Sequence, residues 1–224
     1  MIYQFNFSKS LFGKTWVIFL TLNFVLFSQA FSNSSDSKLW TGLEIKKKLT
    51  SKTKLILGQQ IILKNQFSDF DKTFTNISFS YKIIPLFEQI SSFRYIIYHD
   101  EIKFRLNLDS KIHINVLFLK NYRFRLQQEF DNDGQLEELL SRNKLTIKLP
   151  IYWKLSPYSS FESFHVFNEK EEVFNFSEYR IGLGAKYKLS KNNSLKVYYI
   201  YKGELENNEI NSTDIFGIKY EKNL

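Results

Sequence analysis

The sequence predicts an all-β chain closing as an antiparallel up-and-down transmembrane β-barrel of about twelve strands, with ten as the fallback count. Three observations carry this. Apolar and polar residues alternate with a period of two from Leu39 to the C-terminus. A short apolar run near the N-terminus has the form of a secretory signal. Aromatic residues stand near strand ends, most clearly Tyr179 and Tyr187, which bracket Ile181, Leu183 and Ala185 on one face of an extended chain. Eight residues of strand span about 26 Å, or roughly 20 Å in height once tilted, the dimension of an apolar membrane band with an aromatic girdle at each edge.

The first thirty residues stand apart. Lys9 and Lys14 precede a mostly apolar run from Trp16 to Phe27, and Ser28-Gln29-Ala30 supplies the small residues suited to signal peptidase. About twelve residues, interrupted by Thr21 and Asn23, are too few to cross a bilayer of about 30 Å. Residues 1–30 therefore read as a signal peptide cleaved after Ala30, and residues 31–224 as a single barrel domain. No later run is long enough for a membrane helix, so membrane residence would come by barrel or by surface contact. Cysteine is absent, which excludes disulfides and cysteine-ligated metal sites. The formal charge is +8, of which Lys9 and Lys14 carry two. The other Lys and Arg alternate through strands without forming one patch, and with export this argues against nucleic acid as a partner.

Along the mature chain, Leu39, Thr41, Leu43 and Ile45 oppose Trp40, Gly42, Glu44 and Lys46, and Thr50 to Thr53 turns the chain. Leu55, Leu57, Ile61 and Leu63 share the next outer face, followed after the mostly polar Gln66 to Lys72 by Thr75, Ile77, Phe79 and Tyr81. Pro85, which cannot donate to a ladder, ends that strand. Phe93, Tyr95 and Ile97 oppose Ser92 and Arg94, His99-Asp100 turns, and Ile102, Phe104, Leu106 and Leu108 oppose Lys103, Arg105, Asn107 and Asp109. The apolar parity then runs on to Val116, and Tyr122, Phe124 and Leu126 oppose Arg123, Arg125 and Gln127. Asp109-Ser110-Lys111 is the better turn by residue type, whereas a turn near Asn115 to Leu117 gives more even strands. Asp131-Asn132-Asp133-Gly134 is a reversal. Arg142 to Leu149, stopped by Pro150, and Ser156 to Phe167 follow, then the acidic loop Asn168 to Glu172 and the strand from Ser177 to Leu189. Ser190 to Asn193 turns, Leu195 to Tyr201 is a strand, Glu204 to Thr213 reads as a polar loop, and Phe216, Ile218, Tyr220 and Leu224 close the chain. Eleven strands are legible. Single-chain bacterial barrels have an even number, so a twelfth is expected within Asp109 to Phe130.

Period alone does not say which face meets solvent, and a secreted soluble barrel of the lipocalin kind would carry the same alternation turned inside out. Tyr and Phe near strand ends favour the membrane version. So does the terminal strand, whose Phe216, Ile218, Tyr220 and Leu224 have the pattern read by the outer-membrane barrel-assembly machinery, although Leu224 stands where an aromatic is usual and Lys222 interrupts the apolar face.

The chain resembles the exported outer-membrane barrels grouped as domain of unknown function 2490, common in Bacteroidota-type bacteria. The residues that carry the resemblance are Trp40, Arg94-Tyr95, Arg123-Phe124-Arg125-Leu126-Gln127, Arg142-Asn143-Lys144-Leu145, Pro157-Tyr158 with Glu162, Arg180-Ile181-Gly182-Leu183-Gly184 and Phe216-Gly217-Ile218. The resemblance implies a bacterial outer-membrane location and no established activity, so no catalytic residues follow from it.

The polar faces carry the candidate residues. Arg94, Arg105, Arg123, Arg125, Arg142 and Arg180, with Glu129, Glu162 and Glu178, would all point into a barrel lumen. There they either brace the interior as a hydrogen-bonded ladder or line a basic passage favouring anions. His99, His113 and His165 are the only histidines, and no spacing pairs one with a nucleophilic serine, although a lipid-modifying enzyme using His113 or His165 as base is an alternative. Glu129, Asp131, Asp133 and Gly134 resemble part of a calcium loop, but Leu140 occupies the position of its bidentate Glu, so a plain turn is expected. Gly182 and Gly184 alternate within a strand and make room for large side chains across the lumen; they form no phosphate loop. The expectation is an outer-membrane barrel acting as a small passive pore with a basic lumen or as a structural barrel. Its partners would be outer-membrane lipid and the assembly machinery, with no cofactor, metal or nucleic acid. The alternatives are the lipid-modifying enzyme and a soluble lipocalin-like binding barrel.

Overall fold

A computed structural model describes residues 36–116, 119–148, 154–168, 173–206 and 209–224. The predicted signal peptide, Pro150 and the acidic loop from 169 onward lie outside these residues. Eleven strands follow one another: β1 (Asp36–Lys48), β2 (Thr53–Lys64), β3 (Asp69–Ile84), β4 (Phe87–Tyr98), β5 (Ile102–Val116), β6 (Leu119–Phe130), β7 (Leu136–Lys148), β8 (Leu155–Asn168), β9 (Val173–Lys188), β10 (Asn193–Glu206) and β11 (Glu209–Asn223). Each pairs antiparallel with its neighbours in sequence, and β1 pairs with β11 to close the barrel.

The count is eleven among the described residues, one fewer than the approximate twelve expected. Among the described residues, Asp109 to Phe130 is covered by β5 and β6 alone. Asp109, Ser110 and Lys111 sit inside β5, opposite Arg125, Phe124 and Arg123, so the alternative turn site beyond Asn115 is the one used. Cross-strand pairing of β5 with β4 and β6 outweighs the local turn preference of Asp-Ser-Lys. The odd count among the described residues has a direct topological consequence. With an odd count the first and last strands run in the same direction, and the seam from Asp36↔Thr213 to Lys46↔Asn223 is parallel. The predicted polar loop from Glu204 to Thr213 is also strand for most of its length, because β10 runs to Glu206 and β11 begins at Glu209.

A parallel ladder is slightly weaker per residue than an antiparallel one, and the seam carries added ties. Inside the lumen, Lys219 bonds Glu44 and Lys46 lies 3.3 Å from Glu221. Outside, the β2–β3 turn folds over the seam. Asp36 Oδ1 accepts the Asn65 N–H at 3.0 Å, the Ser37 carbonyl accepts the Gln66 N–H at 3.1 Å, and the Phe67 ring meets Phe216 of β11 edge-on at 5.8 Å. Asn65, Gln66 and Phe67 all take left-handed conformations (φ 52, 56 and 71°). Such backbone persists only where its surroundings hold it, and here the seam does so.

The other turns follow from sequence. Thr50 Oγ1 accepts the N–H groups of Lys52 and Thr53. Asp131 Oδ1 accepts those of Asp133 and Gln135, with Gly134 at φ 80°, which makes this the plain turn expected and leaves Asp131 committed to the backbone.

The alternation resolves with the apolar face outward. Leu57, Ile61, Ile77, Phe79, Phe93, Leu106, Leu108, Phe161, Ile181, Val197 and Ile218 are exposed on the outer wall, while Glu88, Asn107, Asp109, Gln127, Glu129, Arg142, Glu162 and Glu221 are buried inside it. The soluble lipocalin-like alternative required the opposite, and this orientation overturns it.

Candidate functional site

The lumen holds one cavity of about 1400 Å³. Its lining runs from Lys46, Lys148 and Lys188, near the end where the C-terminus emerges, to Lys72, Glu138 and Glu204 near the other end. Lys and Arg contribute seventeen of the lining residues and Asp and Glu seven.

The charged side chains come together because strand register places every second residue of neighbouring strands side by side on the inner wall. On β5 and β6, Arg105 sits opposite Glu129 and Asp109 opposite Arg125. Arg105 Nε donates to Glu129 at 2.6 Å, with its Nη2 on the same oxygen, and Arg125 grips Asp109 with Nε at 2.5 Å and Nη2 at 2.7 Å. Further round, Glu162 of β8 is 3 % exposed and gathers three cations: Arg123 at 2.9 Å, Arg142 at 2.9 Å and Lys144 at 3.3 Å. Arg142 also donates to Gln127 at 3.1 Å. Arg180 bonds Glu178, which Lys202 approaches at 3.6 Å.

Every arginine predicted from sequence, Arg94 included, lines the cavity, as do Glu162 and Glu178. Glu129 is buried beneath Arg105 and does not border the space.

Several lumen residues are not among those picked out from sequence. Phe74, Phe164 and Trp40 lie on the polar faces of their strands and act as platforms: Arg94 lies 4.0 Å over Phe74, Arg142 and Arg180 lie 4.3 and 4.4 Å over Phe164, and Arg180 lies 5.6 Å from Trp40. Their parity was visible in sequence, but an aromatic on a polar face gives no sign of which guanidinium it will meet. A second cluster near the C-terminal end joins Glu44, Lys46, Lys186, Lys219 and Glu221. Next to it, Tyr158 and Tyr198 lie flat on the wall over glycine: a Cβ at Gly184 would come within 2.6 Å of Tyr158, and one at Gly217 within 2.0 Å of the Tyr198 ring.

The histidines do not form a hydrolytic arrangement. His113 Nε2 lies 3.1 Å from Glu88 Oε2, and the Ser80 hydroxyl donates to the other oxygen of the same carboxylate. The carboxylate thus stands between serine and histidine, whereas a nucleophile needs the base itself beside it. His165 packs against Phe176 with ring centroids 5.7 Å apart, and its Nδ1 has no hydrogen-bond partner among the described residues. His99 sits with Asp100 on an exposed turn.

The model of the family described as protein of unknown function (DUF2490) matches residues 37–212, and the chain belongs to that family. Among curated protein sequences none matches the chain. Among solved structures, the chain is similar to the NanC porin (8 % identity over 74 % of this chain and 86 % of that one, TM-score 0.48). It is also similar to the translocator domain of the autotransporter NalP from Neisseria meningitidis (14 % identity, 70 % of each chain, TM-score 0.44).

Proposed function

We propose that this member of the DUF2490 family is an outer-membrane barrel of a Gram-negative bacterium that lets small anions pass through its lumen. The observation that carries this reading is the continuous basic cavity just described. Its excess of cations would draw anions in and lower the barrier to their passage.

The outer wall supports the membrane location. Its exposed Leu, Ile, Val and Phe suit contact with lipid tails, and closure through β1 and β11 leaves no sheet edge to be satisfied by water. On this reading residues 1–30 direct export and are removed after Ala30. The outward Phe216, Ile218, Tyr220 and Leu224 of the last strand are then what the assembly machinery engages.

Charge is also segregated along the axis. The end where the C-terminus emerges carries Lys47, Lys48, Lys52, Lys54, Lys82, Lys120, Lys148, Lys154, Lys188, Lys191 and Lys222. The other end carries Asp36, Asp69, Asp71, Asp100, Glu101, Asp131, Asp133, Glu137, Glu138, Glu204 and Glu209. Lys38, Lys103 and Lys202 stand among these carboxylates and pair with Asp71, Glu137 and Glu204, so the cation excess is concentrated at the C-terminal mouth and current should depend on the sign of the voltage.

The test is planar-bilayer conductance of the mature chain refolded into detergent, with a salt gradient. Discrete steps with a reversal potential on the anion side are expected. Inserted, folded but silent protein would refute the pore and leave a structural barrel.

A further inference from the structure

The lumen arginines are not equivalent. Arg105, Arg123, Arg125, Arg142 and Arg180 each have a carboxylate within ion-pair distance. Arg94 has none among the described residues; its Nε is buried without a hydrogen-bond partner, as are those of Arg123 and Arg142, but their other nitrogens reach Glu162. We propose that Arg94 is the binding site of a small oxyanion, a carboxylate or phosphate, inside the lumen. This rests on the reading of the lumen as a water-accessible basic passage.

The geometry supports a site over a simple brace. Register places Arg94 of β4 directly opposite Arg105 of β5, a like-charge pair. Such a pair is unfavourable unless both charges are compensated. Arg105 is compensated by Glu129, and Asp109, also on β5, is held at both oxygens by Arg125. Arg94 thus faces Arg105 across the strands with no carboxylate within ion-pair distance among the described residues.

The guanidinium carbon lies 4.0 Å from the centre of the Phe74 ring, and the side chain lines the cavity. A guanidinium held by a ring, with unfilled donors and a positive surround, is preorganised for bidentate capture of a planar or tetrahedral oxyanion. The incoming anion would supply the acceptor that the fold withholds.

The experiment is calorimetric titration of citrate and of inorganic phosphate into the mature chain in non-ionic detergent at low ionic strength. It compares wild type, Arg94→Gln and Arg94→Lys, with each variant checked for the folded band on a gel run without boiling. Saturable binding is expected in wild type. Affinity should fall roughly tenfold or more in Arg94→Gln, as loss of a charge-assisted bond implies. It should fall by a smaller factor in Arg94→Lys, which keeps the charge and loses the fork. No saturable binding in wild type, or wild-type affinity in Arg94→Gln, overturns the proposal. If Arg94→Gln fails to fold, Arg94→Lys decides: wild-type affinity there overturns the bidentate site. Conductance of the same proteins separates the two readings. Binding without conduction removes the pore and keeps the site, whereas anion-selective conduction with binding unaffected by Arg94 keeps the pore and removes the site.

Discussion

Replacing Glu162 by Gln keeps the side chain's shape and removes the carboxylate on which three cations converge. Arg123 and Arg142 each lie 2.9 Å from it and Lys144 3.3 Å, with the carboxylate side chain 4 % exposed. Breaking a buried pair by deleting one partner costs about 3–5 kcal/mol, because the remaining charge stays buried and uncompensated. The side chains of Arg123 and Lys144 keep 23 and 28 % of their surface open to the lumen, where water can solvate them. The lower bound, about 3 kcal/mol, is therefore the expected loss. In urea titration of the detergent-refolded chain, that loss moves the midpoint down by about 1–3 M for an ordinary denaturant dependence. The same change removes one negative charge from the lumen, so the reversal potential in a salt gradient should move further to the anion side. Removing Arg142 as well should restore part of the stability, since the two groups share one network and their effects cannot add. A midpoint equal to wild type in Glu162→Gln would refute the claim that Glu162 neutralises this cluster.

Three further outcomes follow from the same geometry. Ile77 lies mid-strand on the outer wall, so Ile77→Lys should lose about 2–4 kcal/mol in a bilayer-inserted barrel, whereas Asn76→Asp on the adjacent lumen position, opposite Arg94, should lose much less; equal urea midpoints for the two would contradict a lipid-facing wall. At Gly217, Ala places a Cβ about 2.0 Å from the Tyr198 ring, an overpacking expected to cost about 1–3 kcal/mol, and adding Tyr198→Leu should recover part of it in the same titration. Replacing Lys120, Lys148 and Lys188 at the C-terminal mouth by Glu should lower anion preference and weaken the dependence of current on voltage sign, read from current–voltage curves; unchanged curves would show that the rim lysines do not act on permeating ions.

The extent to which the site could be read from sequence differs residue by residue. Arg105, Arg123, Arg125 and Arg180 were identifiable as one face of their strands because each stands beside a Leu, Phe or Ile of the opposite face, whereas Arg142, between Ser141 and Asn143, shares its face with Lys144. Their partners were not. Glu162 and Arg123 are 39 residues apart and meet across β7, and Glu44 meets Lys219 only because β1 closes on β11. Phe74, Phe164 and Trp40 fall on polar faces by parity, but nothing local tells which guanidinium each will meet. The choice between a turn at Asp109-Ser110-Lys111 and one near Asn115 to Leu117 stayed open in sequence because the cross-strand pairs that keep β5 extended come from residues far along the chain. A count near twelve was legible from the period; that eleven strands among the described residues close through a parallel seam depends on how β1 meets β11, which no single strand encodes.

Sequence by itself determined the periodicity, and with it the strands, their two faces, most of the turns and the overall excess of cations, since these depend on residues a few positions apart. Tertiary structure alone decided the parallel closure and the pairing of the lumen charges that leaves Arg94 without a carboxylate, while the outward apolar face, which period alone left open, was favoured in sequence by the strand-end aromatics. Those depend on register between distant strands, where a shift of one residue would exchange inner for outer faces and a shift of two would reassign every ion pair.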